Sequence, residues 1–372
     1  MEQRMDRRQL EIFPLSERVS YADIRKIAVF PDSEIPEISE RETKQIDAAA
    51  EKIVRARAAG KPVILAYGAH LIKNGLGPVI AALLDAGWIT HVATNGAGSI
   101  HDWEFAYQAV SSEDVRVNVA KGQFGTWDET GRNIGLSIAI NGLDGYGYGL
   151  SIGKAIAEDG LMIPSRTELK DRINTLLSQN LPGETLGALA DALHLVTEFD
   201  LPSGRMEVSY PFKEYSVQYA AYKKGVPFTV HPGIGYDIIY THPMGMGGPI
   251  GRGAVRDFLS YAQSVSELGG GGVHLSVGSA IMAPMIFEKS LSMANNLAIK
   301  NTGKPLEDYY LAVVDIQDGG NWDWSHGEPP KDNPAYYLRF CKSFNRMGGL
   351  LDYVCLDNRQ FMVGLCRTLM GK

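Results

Sequence analysis

Between Lys61 and Glu104 the sequence runs strand, loop, helix, strand, loop, and this unit constrains the fold more than any other stretch. Val63 to Ala66 are apolar without alternation, the pattern of a strand buried on both faces, and Tyr67-Gly68-Ala69-His70 breaks the run. Pro78 suits the first turn of a helix whose buried side is Val79, Ile80, Leu83 and Leu84, and Gly87 can close it. His91 to Thr94 form the second strand, and Asn95-Gly96-Ala97-Gly98-Ser99 follow as a glycine-bearing loop. Both loops leave the carboxyl end of a strand, the edge at which open parallel sheets bind ligands. Either loop alone reads equally well as a tight turn; two in one unit point to a site.

The pattern continues to the end of the chain. Residues 1–40, broken by Pro14, Pro31 and Pro36, read as an N-terminal extension, and residues 41–372 as one α/β domain. Helices are expected over Glu40–Ala59, Ile163–Leu181, Tyr215–Lys224 and within Gly251–Leu268, a further short element over Leu186–Leu195, and strands at Val226–Val230, Val273–Val277 and Tyr309–Ile316. Residues 120–150, rich in glycine and aromatics, read as a lid, a subunit contact or a surface excursion. Strands alternating with helices predict one doubly wound parallel sheet. Glycine-bearing loops recur at strand ends, in His231-Pro232-Gly233-Ile234-Gly235-Tyr236-Asp237 and in Gly278-Ser279-Ala280 before Pro284. The second resembles a phosphate-binding turn, in which free amides at a helix start face an anion.

Composition narrows the class. Hydrophobic residues make up 45% and charged residues 21%, as in globular proteins, and the net charge of -7 argues against a nonspecific nucleic-acid surface. No apolar run has the length of a signal peptide core or a bilayer span, so no membrane association and a cytoplasmic location are expected. Cys341, Cys355 and Cys366 are odd in number and lack metal-ligand spacing, which favours free thiols over a disulfide framework.

Four of these loops, in order, resemble those of deoxyhypusine synthase: Tyr67 to Leu76, Thr94 to Asp102, Gly233 to Ile239, and Gly278 to Ala280 combined with Asp318 to Glu328. The resemblance covers residues 40–345. It implies a Rossmann-like, NAD-binding fold, a homo-oligomer (dimer or tetramer), and an NAD-dependent transferase or oxidoreductase acting on a small amine. On this resemblance Gly68, Ala69, His70, Thr94, Asn95, Gly96, Gly278 and Ser279 would contact NAD. Asp237 matches the carboxylate that holds the amine; capping a turn is its alternative role. The chain departs from the family where a catalytic tryptophan-glycine-lysine segment is replaced by Arg339-Phe340-Cys341-Lys342. There Lys342 is either the nucleophile or a solvated helix lysine. These departures predict an enzyme other than deoxyhypusine synthase.

His70, His101 and His231 each follow a strand end. If the loops converge, His101 and His231 could move protons as acid or base, or all three could bind a divalent metal in a hydrolase or lyase. Local hydrogen bonding is the remaining possibility. Asp318, Asp323, His326 and Glu328, beside Trp322 and Trp324, have the acidic and aromatic character that holds a cationic amine, or alternatively form a subunit contact. A noncatalytic nucleotide-binding protein is the third functional class the sequence admits.

Overall fold

The computed structural model describes residues 3–179, 183–320 and 322–371. Six strands form one parallel sheet: β1 (Val63–Tyr67), β2 (His91–Asn95), β3 (Phe228–His231), β4 (Val273–Val277), β5 (Tyr310–Asp315) and β6 (Leu350–Cys355). Their spatial order is β6-β5-β4-β1-β2-β3. Leu65 of β1 stands opposite Val92 of β2 on one side and Leu275 of β4 on the other.

The unbroken apolar run of β1 has a direct cause. Val63, Leu65 and Tyr67 enter one core with Ile46, Ala49 and Ile53 of the helix Glu40–Ala58, Val79 and Ile80 of Gly77–Asp85, and Phe361 of Asn358–Met370. Ile64 and Ala66 enter another with Tyr261 and Val265 of Gly247–Ser266 and Phe287 and Leu291 of Met282–Thr302. Successive side chains of a strand point to opposite faces, so a strand covered on both sides favours apolar residues at consecutive positions rather than at alternate ones. Helix Glu40–Ala58 starts at a reciprocal cap: Ser39 Oγ accepts from the Glu42 amide, and the Glu42 carboxylate accepts from the Ser39 amide.

Several expectations are corrected. Asn95 to Ser99 is a helix start rather than a loop: Asn95 caps the helix Gly96–Gln108 by accepting from the Gly98 amide at 2.8 Å. Residues 120–150 are no surface excursion, because they contain the largely buried helix Asp128–Asn141 and the start of Tyr148–Ala157. These two helices join Arg166–Ser178 and Gly183–Glu198 in a third apolar cluster beyond the β3 edge. The polar helix expected to reach Leu181 is seen over Arg166–Ser178; Leu181 itself lies outside the described residues. The N-terminal segment sends Leu15 and Ile24 into the first core, and its strand Ser20–Asp23 pairs antiparallel with Val110–Glu113. Among the described residues no helix is long and apolar enough to cross a membrane.

Candidate active site

Counted along the chain, the strands lie in the order 3-2-1-4-5-6, which reverses direction between β1 and β4. Loops leaving two such strands turn to opposite sides and open a crevice at their carboxyl ends. Here those loops begin at Gly68 and Gly278, which touch: a Cβ on Gly68 would lie 2.1 Å from the Gly278 carbonyl oxygen, and Gly278 has φ +58°. Both features require glycine. A cavity of about 560 Å³ opens there, lined by Gly68, Ala69, His70, Asn95, Gly278 and Ser279 and extending to Asp315 and Asn358. Its size is that of ordinary ligand pockets, roughly 300–1,000 Å³. Ser279 Oγ accepts from the Ala283 amide at 3.1 Å, capping the helix whose first residue, Met282, also lines the cavity.

A second cavity, about 230 Å³, includes Lys73, His101, Glu104, Tyr236 and Asp237 in its wall. The short helix Ala69–Lys73 gives His70 to the first cavity and Lys73 to the second, while Asn95 and Ala97 divide in the same way at the start of the helix Gly96–Gln108. The cavities therefore flank the same two helix starts.

Asp237 is almost fully buried, and its Oδ2 accepts from the Gly233 amide at 2.7 Å. Its carboxyl rests on Gly96, where a Cβ would come within 2.3 Å of Oδ2. Burial, opposed by the Gly233 hydrogen bond, pushes the acid up to about 6. Burial also lowers His101 to about 4, although nearby Glu104 pulls the other way, so the imidazole is neutral near pH 7. His101 Nδ1 meets Ser111 Oγ at 2.7 Å, and Ser111 donates onward to Glu104. Glu104 and Arg18 form a buried two-pronged ion pair with both contacts at 2.7 Å. Burial works against the Glu104 carboxylate, but Arg18, together with His101 and the Ser111 hydroxyl, outweighs it and holds the pKa below the usual value. A neutral imidazole and a desolvated carboxylate in one cavity can accept a proton and bind a cation, respectively.

Other predicted residues fall elsewhere. Thr94 is buried and donates to the Tyr67 carbonyl at 3.1 Å, tying β2 to β1. His231 packs edge-on to Tyr261 of the helix Gly247–Ser266, bonds Thr229 Oγ1 at 3.2 Å, and lines neither cavity. The convergence of His70, His101 and His231 on a metal is thereby corrected: β3 aims its last imidazole at the helix layer, and among the described residues no group of three or more candidate ligands could hold a metal. Lys342 stacks its ammonium 3.5 Å from the Tyr336 ring centre and lies outside both cavities. Asp318 and Asp323 accept from the Gly320 and Ser325 amides, His326 lies 3.8 Å from Asp323, and Glu328 pairs with Arg346. These four exposed groups are engaged by their own turns, by one another or by Arg346, and none lines either cavity. Asn321 of the same loop lies outside the described residues.

Sequence reasoning missed Arg18, Lys73, Glu104 and Ser111. Lys73 had a local signal, standing two residues before Gly75 in the loop after β1. Arg18 had none, because its partner is 86 positions away.

A doubly wound sheet with a ligand crevice at its switch point is thus the class that fold and site define. No family model matches the chain. No curated protein matches it. Among solved structures, it is similar to AgrE in ternary complex with ornithine and NAD+ (16% identity, 91% of this chain, 34% of that chain, TM-score 0.40). It is also similar to ArgZ, an arginine dihydrolase from the ornithine-ammonia cycle in cyanobacteria (13% identity, 91% and 33% covered, TM-score 0.42). A third is a conserved LOR/SDH-type protein from Methanococcus maripaludis S2 (15% identity, 92% and 74% covered, TM-score 0.41). The chain spans about a third of the length of the AgrE and ArgZ chains. None of the three is a deoxyhypusine synthase.

Proposed function

We propose that this chain is an NAD-dependent enzyme that oxidises a small amine-bearing substrate, with the dinucleotide across the β1/β4 crevice and the amine in the adjoining cavity. The observation that carries the reading is the strand order, which puts the side-chain-free Gly68 and Gly278 at the one place where such sheets bind dinucleotides. The residues present suit that cofactor. Amides of Ala69 and Ser279 and the start of Met282–Thr302 suit its phosphates, and Asn95, Asp315 and Asn358 can accept or donate to its ribose hydroxyls. When bound, the dinucleotide would accept a hydride from the carbon that carries the nitrogen.

The chain's own groups supply the rest. Asp237, above its titration near 6, holds the ammonium. His101, neutral, takes the proton that the nitrogen gives up, so the hydride and proton together leave an iminium product. Lys73 makes no ion pair among the described residues and faces the same cavity, which favours a substrate that also carries a carboxylate, an amino acid.

The test is formation of reduced nicotinamide, followed by absorbance with purified protein, NAD+ and a panel of amines and amino acids. Turnover with an amino acid and none with its decarboxylated counterpart is expected. Dinucleotide binding without turnover across the panel would instead indicate a noncatalytic nucleotide-binding protein.

A further inference from the structure

Among the described residues His101 is the only imidazole lining the cavity that contains Asp237, and a hydrogen-bonded chain runs behind it. The chain can be followed proton by proton. Glu104 is an acceptor only: Oε1 takes bonds from Arg18 Nη1 and from Thr130 Oγ1 at 3.0 Å, and Oε2 takes bonds from Arg18 Nη2 and Ser111 Oγ. Ser111 has one hydroxyl hydrogen, and the contact with Glu104 consumes it. At its 2.7 Å contact with His101 Nδ1, Ser111 can therefore only accept. Nδ1 must carry the hydrogen, and in a neutral ring Nε2 is then the bare acceptor. Nε2 has no hydrogen-bond partner among the described residues.

The N-terminal segment builds this chain. Its strand Ser20–Asp23 pairs with Val110–Glu113 so that Ala22 faces Ser111, and Arg18, two residues before that strand, reaches the Glu104 carboxylate. We propose that Arg18, Glu104 and Ser111 are positioning residues that fix His101 as the Nδ1–H tautomer and leave Nε2 free to receive a substrate proton, making the N-terminal segment part of the active site. The role of Nε2 rests on the amine-oxidation reading above. The tautomer does not.

Nitrogen NMR of protein labelled at histidine reads the tautomer directly, on the free chain with neither NAD nor amine, and loss of one signal in His101→Gln assigns it. The expected spectrum has His101 Nδ1 protonated and Nε2 bare. Ser111→Ala should shift it to the other tautomer or to a mixture, and Ser111→Thr, which keeps the hydroxyl, should restore it. An Nε2–H tautomer in the native chain overturns the proposal, and so does an unchanged signal in a folded Ser111→Ala variant. If the native tautomer is as expected but no amine is oxidised, the relay stands and the functional reading falls. Where turnover is found, Ser111→Ala should lower kcat by roughly tenfold or more with the dinucleotide Kd unchanged.

Discussion

Asp237 shows what burying a carboxyl does to stability as pH changes. Its pKa in the folded chain, about 6, stands above that of an unfolded aspartate, about 3.9. Whatever stability it contributes is therefore complete below about pH 4 and is lost as pH rises through about 6. Asp237→Asn removes the desolvated charge and still offers an oxygen to the Gly233 amide. That variant should be more stable than the parent at pH 7.5, by at most about 3 kcal/mol, and equal to it near pH 4. Chemical unfolding at the two pH values checks this. The same change should cut kcat/KM for an amine roughly a hundredfold, since a charge-assisted contact to the ammonium is lost. Gly96 is its counterpart: with no room for a Cβ beneath the carboxylate, Gly96→Ala should impair amine turnover and spare dinucleotide binding. Single residues were legible in the sequence only in part. Asp237 and His101 could be picked out because each follows a glycine-bearing stretch at a strand end, whereas Arg18 and Ser111 are linked to His101 and Glu104 through contacts that spacing does not encode.

Among elements, the crevice depends on two loops in contact rather than on a glycine-rich motif. Gly68→Ala would drive its Cβ into the Gly278 carbonyl and spread β1 from β4 at the ligand edge. Dinucleotide affinity should fall at least about tenfold, read by calorimetry, while far-ultraviolet circular dichroism stays unchanged because both strands keep their register further back. Strands were easy to read from sequence where burial on both faces leaves continuous apolar runs such as Val63 to Ala66 and Leu311 to Val314. The helix Asp128–Asn141 was hidden by its glycines, which look like turn residues and serve another purpose. A Cβ on Gly131 would lie 2.3 Å from the His242 Cβ, and one on Gly135 would lie 2.8 Å from the Met244 carbonyl oxygen. These glycines admit the loop that follows Asp237. That loop is further tied down by Arg7, which donates to the carbonyls of Tyr240, His242 and Gly245. Periodicity within a helix cannot reveal what must approach it closely.

For the molecule as a whole, buried imidazoles should set the response to acid. His91, His231 and His274 gather around Tyr261 on the face opposite Glu40–Ala58, and burial lowers each to about 3; His101 is lowered to about 4. With folded values depressed below the usual 6.5, each contributes stability that is present above pH 6.5 and lost as pH falls towards the folded value. Asp237 and Asp257, raised to about 6 and about 8, act in the opposite sense, as does Asp102, which burial also raises, so three carboxyls oppose four imidazoles. Resistance to urea should therefore decline as pH falls from about 6.5 to 4, at roughly 1–3 kcal/mol per pH unit where steepest. A flat profile would mean that these imidazoles are not buried as described.

The central claim is that the β1/β4 switch point holds a dinucleotide, with the His101 and Asp237 cavity beside it. Calorimetric titration of the purified chain with NAD+, after confirming that no nucleotide has co-purified, tests this most directly. Saturable binding at about one site per chain, weakened at least about tenfold in Gly68→Ala and retained in Asp237→Asn, is the predicted result. No heat of binding at millimolar NAD+, or binding that Gly68→Ala leaves untouched, would contradict it.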